Sequence, residues 1–293
     1  MKLVRVNEEN FSGIIKLKTK AEKQGFVDSP LYSLAECFLD YDHMEAFGIY
    51  YQDVLVGFSS IYYEGDFGQI INFLIADDFQ NRYYGSQAAG LILDMFRDTY
   101  KLNTVSVGIN KRNQKAFRFW ERLGFVETGN IEGDYEFYRK PLKEIKISDE
   151  IFLANYFPAY NISLNWYRDK ETVKMVDNSD VLYDLDQLQK MYGYLDKNGD
   201  LFYIVNKNKL IGDCAIFDDN MVAIVIDKDY RGQNIGAKVL EGLISYAKEK
   251  NLSYLKAEIH EFNYISKSLF EKFGFQYLGD NLYELSLDKK IDL

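Results

Sequence analysis

The stretch Asp229–Leu240 reads DYRGQNIGAKVL, and it decides how the second half of the chain folds. An apolar run, Val222–Ile226 (VAIVI), precedes it, and a segment with helical periodicity, GAKVLEGLISYAKEK, follows it. The pattern predicts a buried strand, a loop with two glycines and the start of a helix. The first turn of a helix presents backbone N–H groups without intrahelical partners and a partial positive charge. The stretch therefore predicts a binding site for an anion.

The residues of this loop indicate what kind of anion fits. Gly232 and Gly236 lack a Cβ atom, so a bulky phosphorylated ligand can approach the main chain, and Arg231 is expected to add a mobile positive charge. The edge of the preceding strand is suited to hydrogen-bond an extended, amide-bearing tail. No Walker motif or G-x-G-x-x-G spacing is present. A plain strand-to-helix turn with glycine caps remains the alternative.

The composition is that of an ordinary globular protein. The 293 residues are 47% hydrophobic and 27% charged, which suits one large domain or two ordinary ones. The formal net charge of −10 argues against a nucleic-acid partner and is permissive of cationic ligands. Cys37 and Cys214 lie outside any metal or redox spacing, so we expect structural thiols and no metal site. With neither a signal peptide nor a membrane-length apolar run, a cytoplasmic protein without a membrane partner is expected.

Three blocks of sequence occur twice, in the same order and at nearly the same separation. NQKAFRFWERLGF (Asn113–Phe125) resembles NYISKSLFEKFGF (Asn263–Phe275), and VLVGFSSIYY (Val54–Tyr63) resembles KLIGDCAIFD (Lys209–Asp218). DFQNRYYGSQAAGLIL (Asp78–Leu93) is a weaker copy of the opening stretch. The period is far too long for a solenoid, so the repeat predicts two domains of similar fold.

Each half alternates predicted strands with predicted helices, which is typical of a mixed α/β sheet. The fold class expected is two α/β domains in tandem, residues 1–142 and 143–293, with a seam in the segment PLKEIK. The second half is expected to open with a long helical approach, Asp149–Leu195. Its glycine loop follows a strand predicted at Met221–Ile226. A polar turn at Asn206–Asn208 is expected to close one of its hairpins.

The two motifs together resemble the GNAT acetyltransferase superfamily. RGQNIG resembles the family signature Gln/Arg-x-x-Gly-x-Gly/Ala, and the later block resembles its Asn-x-x-Ala-x-x-Leu-Tyr-Glu-Lys-x-Gly-Phe segment. The middle glycine of the signature is Asn234 in the second half and Tyr83 in the first. Asparagine tolerates a left-handed backbone, whereas tyrosine brings a bulky side chain, so weaker binding is expected in the first half. The chain as a whole resembles a tandem pair of such domains.

The resemblance implies acetyl-coenzyme A (acetyl-CoA) as co-substrate. The amides of the loop would hold the diphosphate of the coenzyme, and the preceding strand would hydrogen-bond its pantetheine amides. The later asparagine would contact the coenzyme arm. In the second half the implied residues are Ile226, Arg231, Gly232, Gln233, Asn234, Ile235, Gly236, Ala237 and Asn263. In the first half they are Ile75, Gln80, Asn81, Arg82, Tyr83, Tyr84, Gly85, Ser86 and Asn113.

The first half is also similar to bacterial spermine/spermidine acetyltransferases. The likeness lies in QGFVDSPLYSLAEC (Gln24–Cys37) and INFLIADDFQNRYYGSQAA (Ile71–Ala89), although an arginine typical of that group is replaced near Asn72. This likeness implies a polyamine or another small primary amine as the acceptor.

Acetyl transfer requires the amine to lose a proton and the leaving thiolate to gain one. In the family a tyrosine commonly serves as the acid, and its matching positions are Trp120 and Phe270, which cannot donate a proton in that role. Glu258 and His260 alternate onto one face of a predicted strand and are candidate proton carriers. Tyr264 is a third candidate. The structural alternatives are that Glu258 and His260 lie at a solvated end of the strand, and that Tyr264 is a packing residue.

The sequence thus predicts a cytosolic N-acetyltransferase for a primary amine, acting as a monomer or homodimer. Two alternatives stay open. One is a non-catalytic acyl-CoA sensor or scaffold, motivated by the missing tyrosines. The other is an acetyltransferase of protein N-termini or lysines.

Overall fold

The computed structural model describes residues 1–287. They form two compact units, the first spanning Met1–Leu142 and the second beginning at Lys143. Each unit contains one mixed β-sheet with helices packed on it, so the expected fold class of two α/β domains is confirmed. No helix in this described part of the chain is long and apolar enough to cross a membrane.

The first unit is built on a seven-stranded sheet. Its strands are β1 (Lys2–Arg5), β2 (Met44–Tyr51), β3 (Val54–Glu64), β4 (Phe67–Ile75), β5 (Thr104–Asn110), β6 (Val126–Glu132) and β7 (Tyr135–Pro141), and its helices are α1 (Phe11–Ile14), α2 (Lys20–Lys23), α3 (Pro30–Leu39), α4 (Tyr84–Asp98) and α5 (Gln114–Arg122). The strand order is β1-β2-β3-β4-β5-β7-β6, and only β4 and β5 are parallel.

The second unit repeats this order with one additional edge strand. Its strands are β8 (Glu144–Lys146), β9 (Ile151–Asn155), β10 (Gly199–Asn206), β11 (Lys209–Phe217), β12 (Met221–Ile226), β13 (Tyr254–Glu258), β14 (Gln276–Gly279) and β15 (Leu282–Ser286), and its helices are α6 (Tyr160–Tyr167), α7 (Lys170–Asp177), α8 (Leu185–Asn198), α9 (Ile235–Glu249) and α10 (Tyr264–Lys272). The order is β8-β9-β10-β11-β12-β13-β15-β14, so β9 to β15 correspond to β1 to β7.

The expected helical approach at Asp149–Leu195 is wrong in its first part. The segment opens with β9, which pairs antiparallel with β10 from Phe202 to Asn206, and only then continues into α6, α7 and α8. A short apolar run such as IFLAN suits a buried strand as well as a helical turn, and pairing with a distant strand decides between them. The polar turn after Asn206 is confirmed, because Lys207 and Asn208 both have positive φ, 49° and 62°.

The parallel strands at the centre of each sheet separate soon after they meet. In the second unit only Met221 of β12 pairs with β13, through Lys256, and in the first unit only Gln69 and Ile70 of β4 pair with β5. Along Val222–Ile226, β12 keeps β11 on one side and has no strand on the other among residues 1–287. An open backbone edge therefore leads directly into each glycine loop.

Helix α9 is fixed behind this opening by its apolar face. Val239, Leu240 and Leu243 are fully buried and belong to one core with Leu255 and Ala257 of β13. Burial of such side chains is the main stabilising term available to a helix of this length. The packing holds the N-terminal end of α9 at the end of β12, where the open edge stops.

Candidate active site

The two glycine loops follow the same backbone path. In the second unit Gly232 and Asn234 have left-handed φ values of 73° and 60°, and in the first unit Asn81 and Tyr83 take 59° and 61° at the matching places. Asn234 adopts the conformation expected of it. Tyr83 adopts it too, with an 81% exposed side chain, at a strain of about 1–2 kcal/mol. The two loops therefore differ in their side chains and not in the left-handed positions of their backbone.

Each loop carries six consecutive amides that make no hydrogen bond within the described residues. In the second unit they run from Gly232 to Ala237, and in the first unit from Asn81 to Ser86. The flanking amides are paired, since Arg231 donates to the Lys228 carbonyl at 3.3 Å. Unpaired N–H groups at a helix start, with left-handed residues between them, are groups of the kind that bind anions in proteins.

The two glycines of the second loop lie in different surroundings. A Cβ atom on Gly236 would lie 3.4 Å from Leu269 Cδ2 and 3.5 Å from Ile226 Cδ1, which is ordinary van der Waals contact. Gly85 makes the matching approach to Phe119. A Cβ atom on Gly232 would meet nothing within 4 Å. The role expected of Gly236 in ligand approach stays a prediction, and the positive φ of Gly232 favours glycine at that position.

Arg231 is held in place, in contrast to the mobile charge expected from the sequence. Its Nε donates to the carbonyl of Ile226 at 3.1 Å. Its terminal nitrogens donate to Glu171 Oε2 at 3.0 Å and to Thr172 Oγ1 at 2.5 Å, and one lies 3.6 Å from the Asp169 carboxylate. The guanidinium therefore connects the loop to the N-terminal end of α7.

The corresponding residue of the first unit makes the same bond to its strand. Gln80 Nε2 donates to the carbonyl of Ile75 at 2.9 Å, as Arg231 does to that of Ile226. Two of the groups expected to bind the coenzyme arm, the carbonyls at the ends of β4 and β12, already have internal donors. Among the described residues, the loop amides and the open edge of β12 before Ile226 remain available.

Both motif asparagines cap the helix that follows them. Asn263 Oδ1 accepts from the amide of Ser266 at 3.1 Å, and Asn113 Oδ1 accepts from that of Ala116 at 3.2 Å. Asn263 also donates from Nδ2 to the Met175 carbonyl of α7, at 3.4 Å. A contact of Asn263 or Asn113 with the coenzyme stays a prediction.

A cleft of 350 Å³ opens beside the end of β13. The residues that line it are Asn178, His260, Glu261, Phe262, Tyr277, Asp280 and Asn281. The imidazole of His260 stacks on the ring of Phe262, with 5.5 Å between centroids. Two carboxylates and two aromatic rings line the cleft, and no lysine or arginine is among its lining residues. This lining favours a cation over an anion.

The structure separates the three candidate proton carriers. Glu258 is exposed and His260 half-buried, on the opposite side of the strand from the buried Ala257 and Ile259, as the alternation predicts. Only His260 lines the cleft. The side chain of Tyr264 is 73% exposed at the start of α10. Trp120 and Phe270, at the family's tyrosine positions, are buried in the two apolar cores.

A buried polar cluster lies beside this site, and the sequence reasoning missed it. Asp213 of β11 is 3% exposed and accepts hydrogen bonds from the hydroxyls of Tyr167, at 3.0 Å, and Tyr192, at 2.7 Å. Burial raises the pKa of Asp213 to about 7, against the opposing effect of the two hydroxyl donors. The signal in the sequence was a single carboxylate in the apolar run KLIGDCAIF.

Neither cysteine is suited to form an acyl intermediate. Burial raises the pKa of Cys37 to about 11 and places that of Cys214 well above its usual value. Both thiols therefore stay protonated near neutral pH, whereas a nucleophilic cysteine must be a thiolate.

The family model of the GNAT acetyltransferases matches residues 12–125 and 160–275, which together are more than half of the chain. The chain belongs to the GNAT acetyltransferase family. Each match lies within one unit, so the chain contains two GNAT domains in tandem. Membership of the GNAT family gives the enzyme class, N-acetyltransferase, and the co-substrate, acetyl-CoA.

Comparison with individual proteins gives more distant similarities. A protein of Bacillus subtilis (strain 168), provisionally named a ribosomal protein bS18 alanine N-acetyltransferase, is 30% identical over 80 residues, which are 26% of this chain and 53% of that protein. The chain thus spans about half the length of this curated relative. A GNAT acetyltransferase structure from Bacillus anthracis (14% identity, TM-score 0.44) covers 50% of this chain and 100% of its own. A spermidine N-acetyltransferase structure from Vibrio cholerae (18% identity, TM-score 0.39) covers 47% and 92%.

Proposed function

We propose that the second unit binds acetyl-CoA and transfers its acetyl group to a small primary amine. The observation that carries this proposal is the row of six unpaired amides from Gly232 to Ala237, which directly follows the open edge of β12. Amides in this arrangement fit the charge of a diphosphate. The open edge of Val222–Val225 fits the two amides of the pantetheine arm, which need hydrogen-bond partners along an extended path.

The cleft beside β13 is the proposed acceptor site. A primary amine is an ammonium ion near neutral pH, and Glu261 and Asp280 supply negative charge around it. The ring of Tyr277 also lines the cleft, and an aromatic face attracts a cation when its hydration is reduced. A polyamine satisfies these features with charges at several positions, which makes it the small amine favoured here.

His260 is the proposed base of the reaction. The amine nitrogen, once deprotonated, attacks the acetyl carbonyl carbon; a C–N bond forms and the C–S bond breaks. His260 removes the proton of the amine, and solvent at the open cleft returns one to the thiolate, since Trp120 and Phe270 have none to give. No covalent enzyme intermediate is needed, in line with the protonated cysteines.

The N-terminal amine of a protein is the second candidate acceptor. The name of the Bacillus subtilis relative describes N-acetylation of an alanine of ribosomal protein bS18, and the cleft is open to solvent. A peptide N-terminus has a lower pKa than a lysine or polyamine and needs less help from a base.

A panel of acceptors tests the proposed function. The purified chain is incubated with radiolabelled acetyl-CoA and, separately, spermidine, a lysine peptide and a peptide with N-terminal alanine. Turnover of spermidine above the peptides supports the small-amine proposal, and the reverse order supports the protein acceptor. Coenzyme binding without turnover of any amine would instead indicate an acyl-CoA sensor.

Neutralising the cleft is expected to weaken acceptor binding. In the double variant Glu261→Gln, Asp280→Asn, the KM for spermidine should rise about tenfold, because two attractive charges are lost. The KM for acetyl-CoA should stay within twofold. Steady-state kinetics at low and physiological salt measure both values. Glu241→Gln, Glu249→Gln on the exposed face of α9 is the matched control, and an equal rise in KM there would contradict a local role for the cleft.

A further inference from the structure

We propose that Arg231 is a positioning residue that ties the coenzyme loop to helix α7, and through α7 sets the geometry of the acceptor cleft. The inference rests on the proposed function of the second unit. It assigns Arg231 to the acceptor side of the site and leaves the diphosphate to the backbone amides.

The contacts of α7 at its N-terminal end are the first step. Arg231 donates to Glu171 and Thr172 and lies 3.6 Å from Asp169, the residue that caps α7. Burial acts to raise the pKa of Asp169, but hydrogen bonds from Thr172 and the charge of Arg231 hold it below its usual value. Charge-assisted bonds of this kind are stronger than neutral ones. The same guanidinium is anchored to the end of β12 through the Ile226 carbonyl.

The contacts at the other end of α7 are the second step. Lys174 Nζ lies 5.4 Å from the centre of the Phe262 ring, and the Met175 carbonyl accepts from Asn263. Asn178, directly after the helix, lines the cleft with His260. Burial raises the pKa of the Asp177 carboxyl at this end of α7, and the neighbouring Tyr183 and His260 oppose that shift. One rigid helix, about 12 Å long, thus joins the coenzyme loop to the cleft.

The first unit shows that the hydrogen bond to the strand carbonyl can form without the contacts to a helix. Gln80 keeps the bond to the strand carbonyl, and its other contact is to Asp77 in the same loop. Glutamine therefore keeps the hydrogen bond to the strand carbonyl but has no guanidinium group to bind a second element. Arg231→Gln in the second unit should keep the bond to Ile226 and lose the bonds to α7.

The test combines hydrogen exchange with the signals of the two histidines. In Arg231→Gln the amides of α7 should exchange about tenfold faster than in the unmodified protein, since one charge-assisted contact is worth about this factor. The imidazole signal of His260 in NMR spectra should move, because the neighbouring end of α7 loosens. His43, in the first unit, should keep its signal and serves as an internal control. Lys170→Gln removes a charge from the same end of α7 and should change neither readout.

Titration with coenzyme A completes the test. The Kd of Arg231→Gln should lie within twofold of the unmodified protein, because the loop amides are intact. Unchanged exchange in α7 and an unchanged His260 signal would overturn the proposal. So would a tenfold loss of coenzyme A affinity with α7 unaffected, which would make Arg231 a diphosphate ligand. If the unmodified protein binds no coenzyme A, the proposed function is wrong. The hydrogen exchange of α7 and the NMR signal of His260 then still decide whether Arg231 connects the loop to α7.

Discussion

Gly232→Val is expected to lower the affinity for coenzyme A about 100-fold. A Cβ atom at this position meets nothing within 4 Å, so the substitution causes no clash. The backbone, however, has a φ of 73°, which a β-branched residue adopts only under strain. The loop backbone should change its conformation, and the amides proposed to hold the diphosphate should no longer point to one ligand. Loss of one or two charge-assisted bonds, about 1.5–3 kcal/mol each, gives a change of this size.

Gly232→Asn is the matched control for this variant. Asn81 holds the corresponding position of the first loop at φ 59°, so asparagine suits this backbone and should retain affinity within about threefold. Asn81→Val in the first unit tells which loop binds. If the second unit is the coenzyme site, Asn81→Val leaves the calorimetric affinity unchanged. Equal affinity of Gly232→Val and the unmodified protein would show that the loop backbone does not bind the coenzyme.

Asp213→Ala is expected to destabilise the second unit by about 3–5 kcal/mol. The substitution removes the carboxylate that accepts from the buried hydroxyls of Tyr167 and Tyr192, at about 1–3 kcal/mol each, and adds a small cavity. Asp213→Asn keeps an acceptor and the volume of the side chain, so a smaller loss is expected. Urea unfolding, followed by the fluorescence of Trp166 in a Trp120→Phe background, reports on the second unit alone.

The same carboxyl should make stability depend on pH. Its pKa is about 7 in the folded chain and near 4 when unfolded, so the folded state holds a proton that the unfolded state releases between these values. Stability contributed by Asp213 is therefore full below pH 4 and lost as the pH rises to 7. Between pH 5 and 8 the free energy of unfolding should fall about 2–3 kcal/mol more than in Asp213→Asn. An equal fall in both proteins would mean that Asp213 ionises normally.

The fold was accessible from the sequence because its signals are local or repeated. The repeated blocks identified two similar units, and the run VAIVI, followed by RGQNIG, gave β12, the loop and α9 in the correct order. The prediction failed at β9, since IFLAN becomes a strand only by pairing with β10, which lies some 45 residues further along the chain. Long-range pairing of this kind leaves little mark on a short apolar segment.

The site was accessible only in its backbone part. The free amides follow from any strand, glycine loop and helix start, so a candidate anion site could be predicted from residues 222–237 alone. The side chains could not be placed in the same way. Arg231 is held by residues of α7 some 60 positions earlier, and Asp213 is paired with tyrosines of α6 and α8. Such contacts depend on the packing of helices that the sequence did not resolve.

Calorimetric titration with coenzyme A and with pantetheine tests the central claim most directly. The two ligands share the thiol arm, and only coenzyme A carries the diphosphate that the unpaired amides at 232–237 are proposed to hold. The predicted result is saturable binding of coenzyme A, with pantetheine at least 100-fold weaker, and loss of this difference in Gly232→Val. Absence of coenzyme A binding, or equal affinity for the two ligands, would contradict the claim.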